Sequence, residues 1–237
     1  KCYLSHDRGC ISADCTRMIT DSERKINTKV QGYKTFGLRD MWVEEFFLNH
    51  DIFWKENNLG TAQVDSLKVW LRDAEITDNK NNITPLGLIL KDIYQNNRTL
   101  FWEIIYINLS YNSFIVGWVC QNISVGTIYN KQSLKEGILS QGISVSASTV
   151  SNAATAFVNM AKNSPVGEDM MQAVPAEKSG VKREAYDDLS VEALAYSVFK
   201  FAISKETNMF RVSDLYRPEE EHGAYKEFRI SKDILLR

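Results

Sequence analysis

Turn-forming residues are scarce in this sequence: 4 proline and 12 glycine residues among 237, with no two glycines adjacent. So few chain breakers argue against a many-turned β sandwich. The glycine-rich phosphate loop Gly-x-Gly-x-x-Gly, the nucleophile motif Gly-x-Ser-x-Gly and the zinc-protease motif His-Glu-x-x-His are all missing. Charge of one sign is missing too. The 28 Lys and Arg residues against 30 Asp and Glu give a formal net charge of -2, so any polyanion site must be local. Histidine is rare, and His50 and His222 read as surface or satisfied residues, since neither has a partner visible in the sequence.

A membrane span is excluded by content. The stretch Ile104 to Asn130 carries no formal charge, but Asn108, Ser110, Asn112, Ser113, Gln121 and Asn122 interrupt it, each costly in hydrocarbon. It reads as a single buried helix from Thr99 to about Cys120 followed by a polar connection. The chain starts at Lys1, directly before a cysteine, which suggests a fragment of a longer polypeptide.

Apolar residues recur mostly at three- and four-residue spacing, which predicts a mainly α protein. Residues 1–35 are polar and poorly periodic, a linker from an upstream domain. A first winged-helix-like unit is expected over 36–97: a helix from Phe36 to Asn49, a second over Thr61 to Glu75, a hairpin-like wing between Ile76 and Ile83, and a helix started by Thr84 and Pro85. The central helix opens a second unit, 98–189, whose helix-turn-helix pattern runs from Lys131 to Gln141, through a terminating Gly142, to a Ser146-capped helix ending at Lys162. Asn163 to Leu189 is a long connection or second wing. The last unit, 190–237, begins with Ser190 capping a helix that carries Val191, Leu194, Val198, Phe199 and Ile203 at helical spacing. The expected architecture is therefore tandem winged-helix-like and helix-turn-helix units with short β wings.

Two constellations can carry function. Cys2, His6, Cys10 and Cys15 supply four soft ligands, enough for a tetrahedral zinc ion or part of an iron-sulfur cluster; the alternative is free thiols in a lead-in. Such clustering, with Cys120 alone in the apolar helix, fits a reducing compartment, the cytoplasm, rather than a disulfide framework. In the helix-turn-helix, Ser148, Ser151, Asn152, Thr155, Asn159 and Lys162 occupy polar positions suited to base edges and phosphates. Lys131, Lys135, Lys178, Lys182 and Arg183 are candidate phosphate contacts beside them. Only one of the six recognition-helix residues is a cation, so charge favours a protein-interaction role over DNA binding. No catalytic residue is assigned.

The run Gly32 to Trp42 (Gly-Tyr-Lys-Thr-Phe-Gly-Leu-Arg-Asp-Met-Trp), the Lys-Val-Trp-Leu ending at Leu71, and Ile-Thr-Pro-Leu-Gly ending at Gly87 together resemble an uncharacterised helical domain at the C-terminus of phosphoadenosine phosphosulfate (PAPS) reductase-like proteins. His6-Asp-Arg-Gly-Cys10 within Cys2 to Cys15 is similar to the cysteine-rich segment joining the two domains, with serine at position 5 where that segment has cysteine. The resemblance implies a parent in the PP-loop superfamily, related to sulfur-transfer proteins of DNA phosphorothioation and phage defence. It implies as partners an upstream reductase-like domain of the same polypeptide and other proteins of that system. Adenylation or sulfur chemistry would then lie upstream, because the Ser-Gly-Gly-x-Asp-Ser loop is absent here. A third reading keeps the N-terminal cysteines as part of a sulfur-transfer enzyme.

Overall fold

The computed structural model describes residues 30–177 and 180–236, and they form a mainly helical protein with one small antiparallel sheet. Its helices are α1 (Asp40–Asn49), α2 (Thr61–Asp73), α3 (Pro85–Asn96), α4 (Arg98–Asn112), α5 (Phe114–Asn122), α6 (Lys131–Ser140), α7 (Ala147–Lys162), α8 (Val191–Ser204), α9 (Ala224–Glu227) and α10 (Lys232–Leu235). Strands β1 (Ile128–Tyr129), β2 (Val174–Pro175) and β3 (Val181–Lys182) pair in the order β1-β3-β2, and Val212–Tyr216 is a 3-10 turn. One connected hydrophobic core runs from Val30 to Ile230. None of the described helices is long and apolar enough to cross a membrane.

Local chemistry sets the helix starts. Thr84 Oγ1 accepts from the Gly87 amide with Pro85 at the first helical position, and Ser146 and Ser190 cap α7 and α8 in the same way. Such caps satisfy amides that lack a partner in the first turn. Gly142, in the left-handed region at φ +71°, closes the turn after α6. Thr77 and Ile83 form a bridge across the turn before α3.

Two expected helices are different. The first begins at Asp40 rather than Phe36, because the preceding residues run extended across the core: Ser66 Oγ and Trp70 Nε1 both donate to the Phe36 carbonyl at 2.8 Å. Gly37 sits so close to α7 that a Cβ there would lie 2.0 Å from the Met160 amide nitrogen. The long helix expected over Thr99 to Cys120 is in fact two, broken at Ser113. That residue is extended (ψ 121°), its hydroxyl caps α5, and Tyr33, which donates to Asp73, has its own hydroxyl 2.9 Å from the serine oxygen. A polar anchor from the N-terminal segment thus fixes the break, and the uncharged run folds as a corner.

The expectation that Arg183 serves a wing exposed to phosphate is overturned, since the residue is 0% exposed. Its guanidinium donates to the Val119, Cys120 and Ile123 carbonyls at the end of α5, to the Lys226 and Glu227 carbonyls at the end of α9, and to Gln172 Oε1, at 2.7–3.2 Å. Helix C-termini present partial negative charge and unpaired carbonyls, so one cation stabilises two of them. Replacing it strands several buried acceptors at once, each costing about 1–3 kcal/mol. We expect Arg183→Ala to lower unfolding free energy in urea by at least about 3 kcal/mol, and Arg183→Lys to recover only part; a loss below about 1 kcal/mol would refute this role.

Candidate functional site

The face of α7 is the first candidate. Val150, Ala154, Phe157 and Ala161 point into the core, and Ala153, Ala156 and Met160 form a second buried face, the last two beneath Gly37. That leaves a narrow polar stripe of Ser148, Ser151, Asn152, Thr155, Asn159 and Lys162. Thr155, Asn159 and Lys162 join Asn130, Lys131 and Gln132 at the start of α6 to line a cavity of about 410 Å³. The two helices therefore bring Lys131, Thr155, Asn159 and Lys162 to one cavity, whose lining does not include Ser148, Ser151 or Asn152.

Several are already engaged. The Asn159 amide donates to the Thr35 carbonyl at 2.7 Å, Thr155 Oγ1 to the Ser151 carbonyl at 2.8 Å, and Ser148 hydrogen-bonds Ser146 at 3.0 Å. Lys182 is ion-paired with Glu184, and Arg183 is consumed by helix ends. Lys131 and Lys162 are the exposed cations lining the cavity. Cys2, His6, Cys10 and Cys15, and with them the zinc or iron-sulfur expectation, lie outside the described residues, as does Lys178. Among the described residues no group of three or more His, Cys, Asp or Glu is arranged to hold a metal ion. Cys120 is buried, and desolvation raises its thiol pKa. His50 contacts Asp51 and Lys91, and His222 stacks on Tyr111 with ring centroids 3.9 Å apart.

The second candidate is α8, and the sequence periodicity did not reveal which way it faces. Ala193, Ser197 and Phe201 are inward. On the opposite side Val191, Ala195, Phe199 and Ile203 recur every four residues in solvent, with Phe199 64% and Ile203 59% exposed. Beyond the helix end, Met209 is 84% exposed. An apolar row on one helix side is what a partner surface requires.

Beneath α8 lies a polar network that holds it in place. Lys200 Nζ reaches Glu75 and Asn108 at 2.6 Å each, and Tyr196 donates to Asn108 at 2.8 Å. Fully buried Glu227 accepts from Ser197 at 2.7 Å, Ser110 at 3.2 Å and the Gly223 amide at 3.3 Å. Burial outweighs those donors and Lys200, raising its carboxyl pKa from 4.5 to about 7. A sequence shows no such shift, because the desolvating groups come from α4, α8 and α9 together.

The folded state thus keeps a proton on Glu227 that the unfolded chain has released. This contribution to stability is complete below about pH 4.5 and is lost as pH rises to about 7. At about 1.4 kcal/mol per pKa unit the loss is on the order of 3 kcal/mol. Glu227→Gln should flatten the urea-denaturation profile across that window; an unchanged slope in the variant would show that other groups set it.

With this geometry in hand, comparison with known proteins adds no relative: no family model, no curated protein and no solved structure matches the chain.

Proposed function

We propose that the chain is a protein-interaction and positioning module without an active site of its own, and that it docks through the outer face of α8. The observation carrying this reading is the row Val191, Ala195, Phe199 and Ile203, kept in solvent while the helix is clamped from below by Lys200 and Glu227. A rigid helix with an exposed aromatic residue loses little conformational entropy on binding, and aromatic anchors dominate interface energetics. The resemblance to the C-terminal region of PAPS reductase-like proteins supplies the proposed partner, the upstream reductase-like domain of the same polypeptide. DNA sulfur modification or phage defence is the setting it suggests.

A DNA-binding reading is kept for one observation. Between β1 and the β2–β3 hairpin stand two helices, α6 and α7, and the strand order is β1-β3-β2. That order supports a winged-helix arrangement with α7 as the recognition element. Charge ranks it second, because Lys131, Lys135 and Lys162 give few phosphate contacts. Duplex DNA should bind no tighter than about 10⁻⁴ to 10⁻⁶ M at physiological salt. Fluorescence anisotropy showing submicromolar affinity, lost in Lys131→Glu with Lys162→Glu, would put DNA first.

The interaction reading is tested with a separately expressed reductase-like domain. Phe199→Asp combined with Ile203→Asp should shift stability by no more than about 1 kcal/mol, because both side chains are exposed. The same change should weaken binding at least about tenfold by isothermal titration calorimetry. Unaltered affinity would remove α8 as the docking surface.

A further inference from the structure

Four cations from a short C-terminal stretch, Arg217, Lys226, Arg229 and Lys232, converge on one cavity of about 430 Å³ together with Tyr216 and Tyr225. In a chain of net charge -2 this is a local excess of positive charge. Arg217 pairs with Asp214 at 2.6 Å, but among the described residues no carboxylate lies within ion-pairing distance of the other three. Lys226 is only 7% exposed, and its ammonium donates to the Pro218 carbonyl at 2.8 Å. Lys232 rests over the Tyr216 ring, 4.7 Å from its centroid. Arg229, in the left-handed region at φ 55°, gives Nη2 to the Cys120 carbonyl at 2.7 Å, while its Nε–H is buried without an acceptor.

Such a cluster is unfavourable by itself. Burial and the neighbouring Arg229 lower the Lys226 pKa, against the opposing pull of Glu219 and Glu220. Burial and Arg183 lower that of Arg229. Like charges gathered in a partly desolvated cavity repel, and a buried donor without an acceptor costs about 1–3 kcal/mol. A multiply charged oxyanion would offset the repulsion. Guanidinium forks and ammonium groups together suit the several oxygens of a phosphoryl group better than a single carboxylate. The cavity volume falls in the range of small-ligand sites, roughly 300–1,000 Å³.

We propose that this cavity binds a small phosphate monoester, with Lys226, Arg229 and Lys232 meeting the phosphoryl oxygens and Arg217 at the rim. Its lining shares no residue with the α7 stripe or the α8 face, so the proposal does not rest on the docking reading. Nothing in the residue pattern points to it, because Arg217 and Lys232 are fifteen residues apart and meet only once the segment between them, with α9, has folded.

The test is isothermal titration calorimetry on the full chain with adenosine monophosphate, inorganic phosphate and adenosine, the last being the probe without a phosphoryl group. Adenosine monophosphate should bind with a dissociation constant below about 1 mM, and adenosine should show no heat. Equal affinity for inorganic phosphate would support the site with the oxyanion alone as its ligand. Lys232→Glu and Arg217→Glu, both at exposed positions, should each weaken binding at least about tenfold, whereas Lys55→Glu, exposed near α1, should not. Circular dichroism of each variant confirms that it is folded. Absence of binding up to about 10 mM, or affinity unchanged in both site variants, would overturn the proposal. So would duplex DNA that binds more tightly than the nucleotide and is lost in Lys232→Glu, because the site would then read a nucleic-acid backbone.

Discussion

The burial of one cation constrains the C-terminal half of this protein. A guanidinium taken out of water needs acceptors for all its donors, and Arg183 finds them in the free carbonyls at the ends of α5 and α9. Those carbonyls need donors equally. The sheet that carries Arg183, the helix that ends the apolar corner and the short helix near the C-terminus are therefore fixed relative to one another by a single side chain. Glu227, at the end of α9, extends the link to Ser197 on α8 and Ser110 on α4. The exposed face of α8 owes its orientation to this chain of contacts.

Features written in neighbouring residues were legible in the sequence. Thr84 before Pro85, Ser146, Ser190 and Gly142 all mark helix ends as their types imply, since a cap is a bond between residues two or three apart. The mainly helical composition follows from the same short-range spacing. What escaped was set at long range. The break at Ser113 depends on Tyr33, eighty positions earlier, and the fate of Arg183 depends on carbonyls up to sixty-four residues away. Before folding, a cation on a wing and a cation in a core look alike.

The candidate site divides along the same line. The polar residues of α7 come together as their helical spacing requires, but their availability is decided by the turn and segment around Thr35 and Gly37, which takes the Asn159 amide and covers a second helix face. The apolar residues of α8 obey helical spacing too, yet periodicity cannot separate a stripe facing the core from one facing solvent when both sides are apolar. Ala193 and Phe201 on one side and Phe199 and Ile203 on the other are all apolar; packing tells them apart.

The brevity of α9 has a consequence for the order of folding. At four residues it is far too short to persist alone, since the first helical turn is costly to nucleate. Its carbonyls become acceptors only once it has docked, and the Arg183 bonds that dock it close loops of more than forty residues. During synthesis, when segments emerge from the N-terminus onward, Arg183 is exposed well before Lys226 and Glu227 exist to receive it. The native arrangement around α5 therefore waits for nearly the whole chain. A ribosome stalled after α8 would hold a nascent protein in which Arg183 can reach the α5 carbonyls but still lacks its two acceptors on α9.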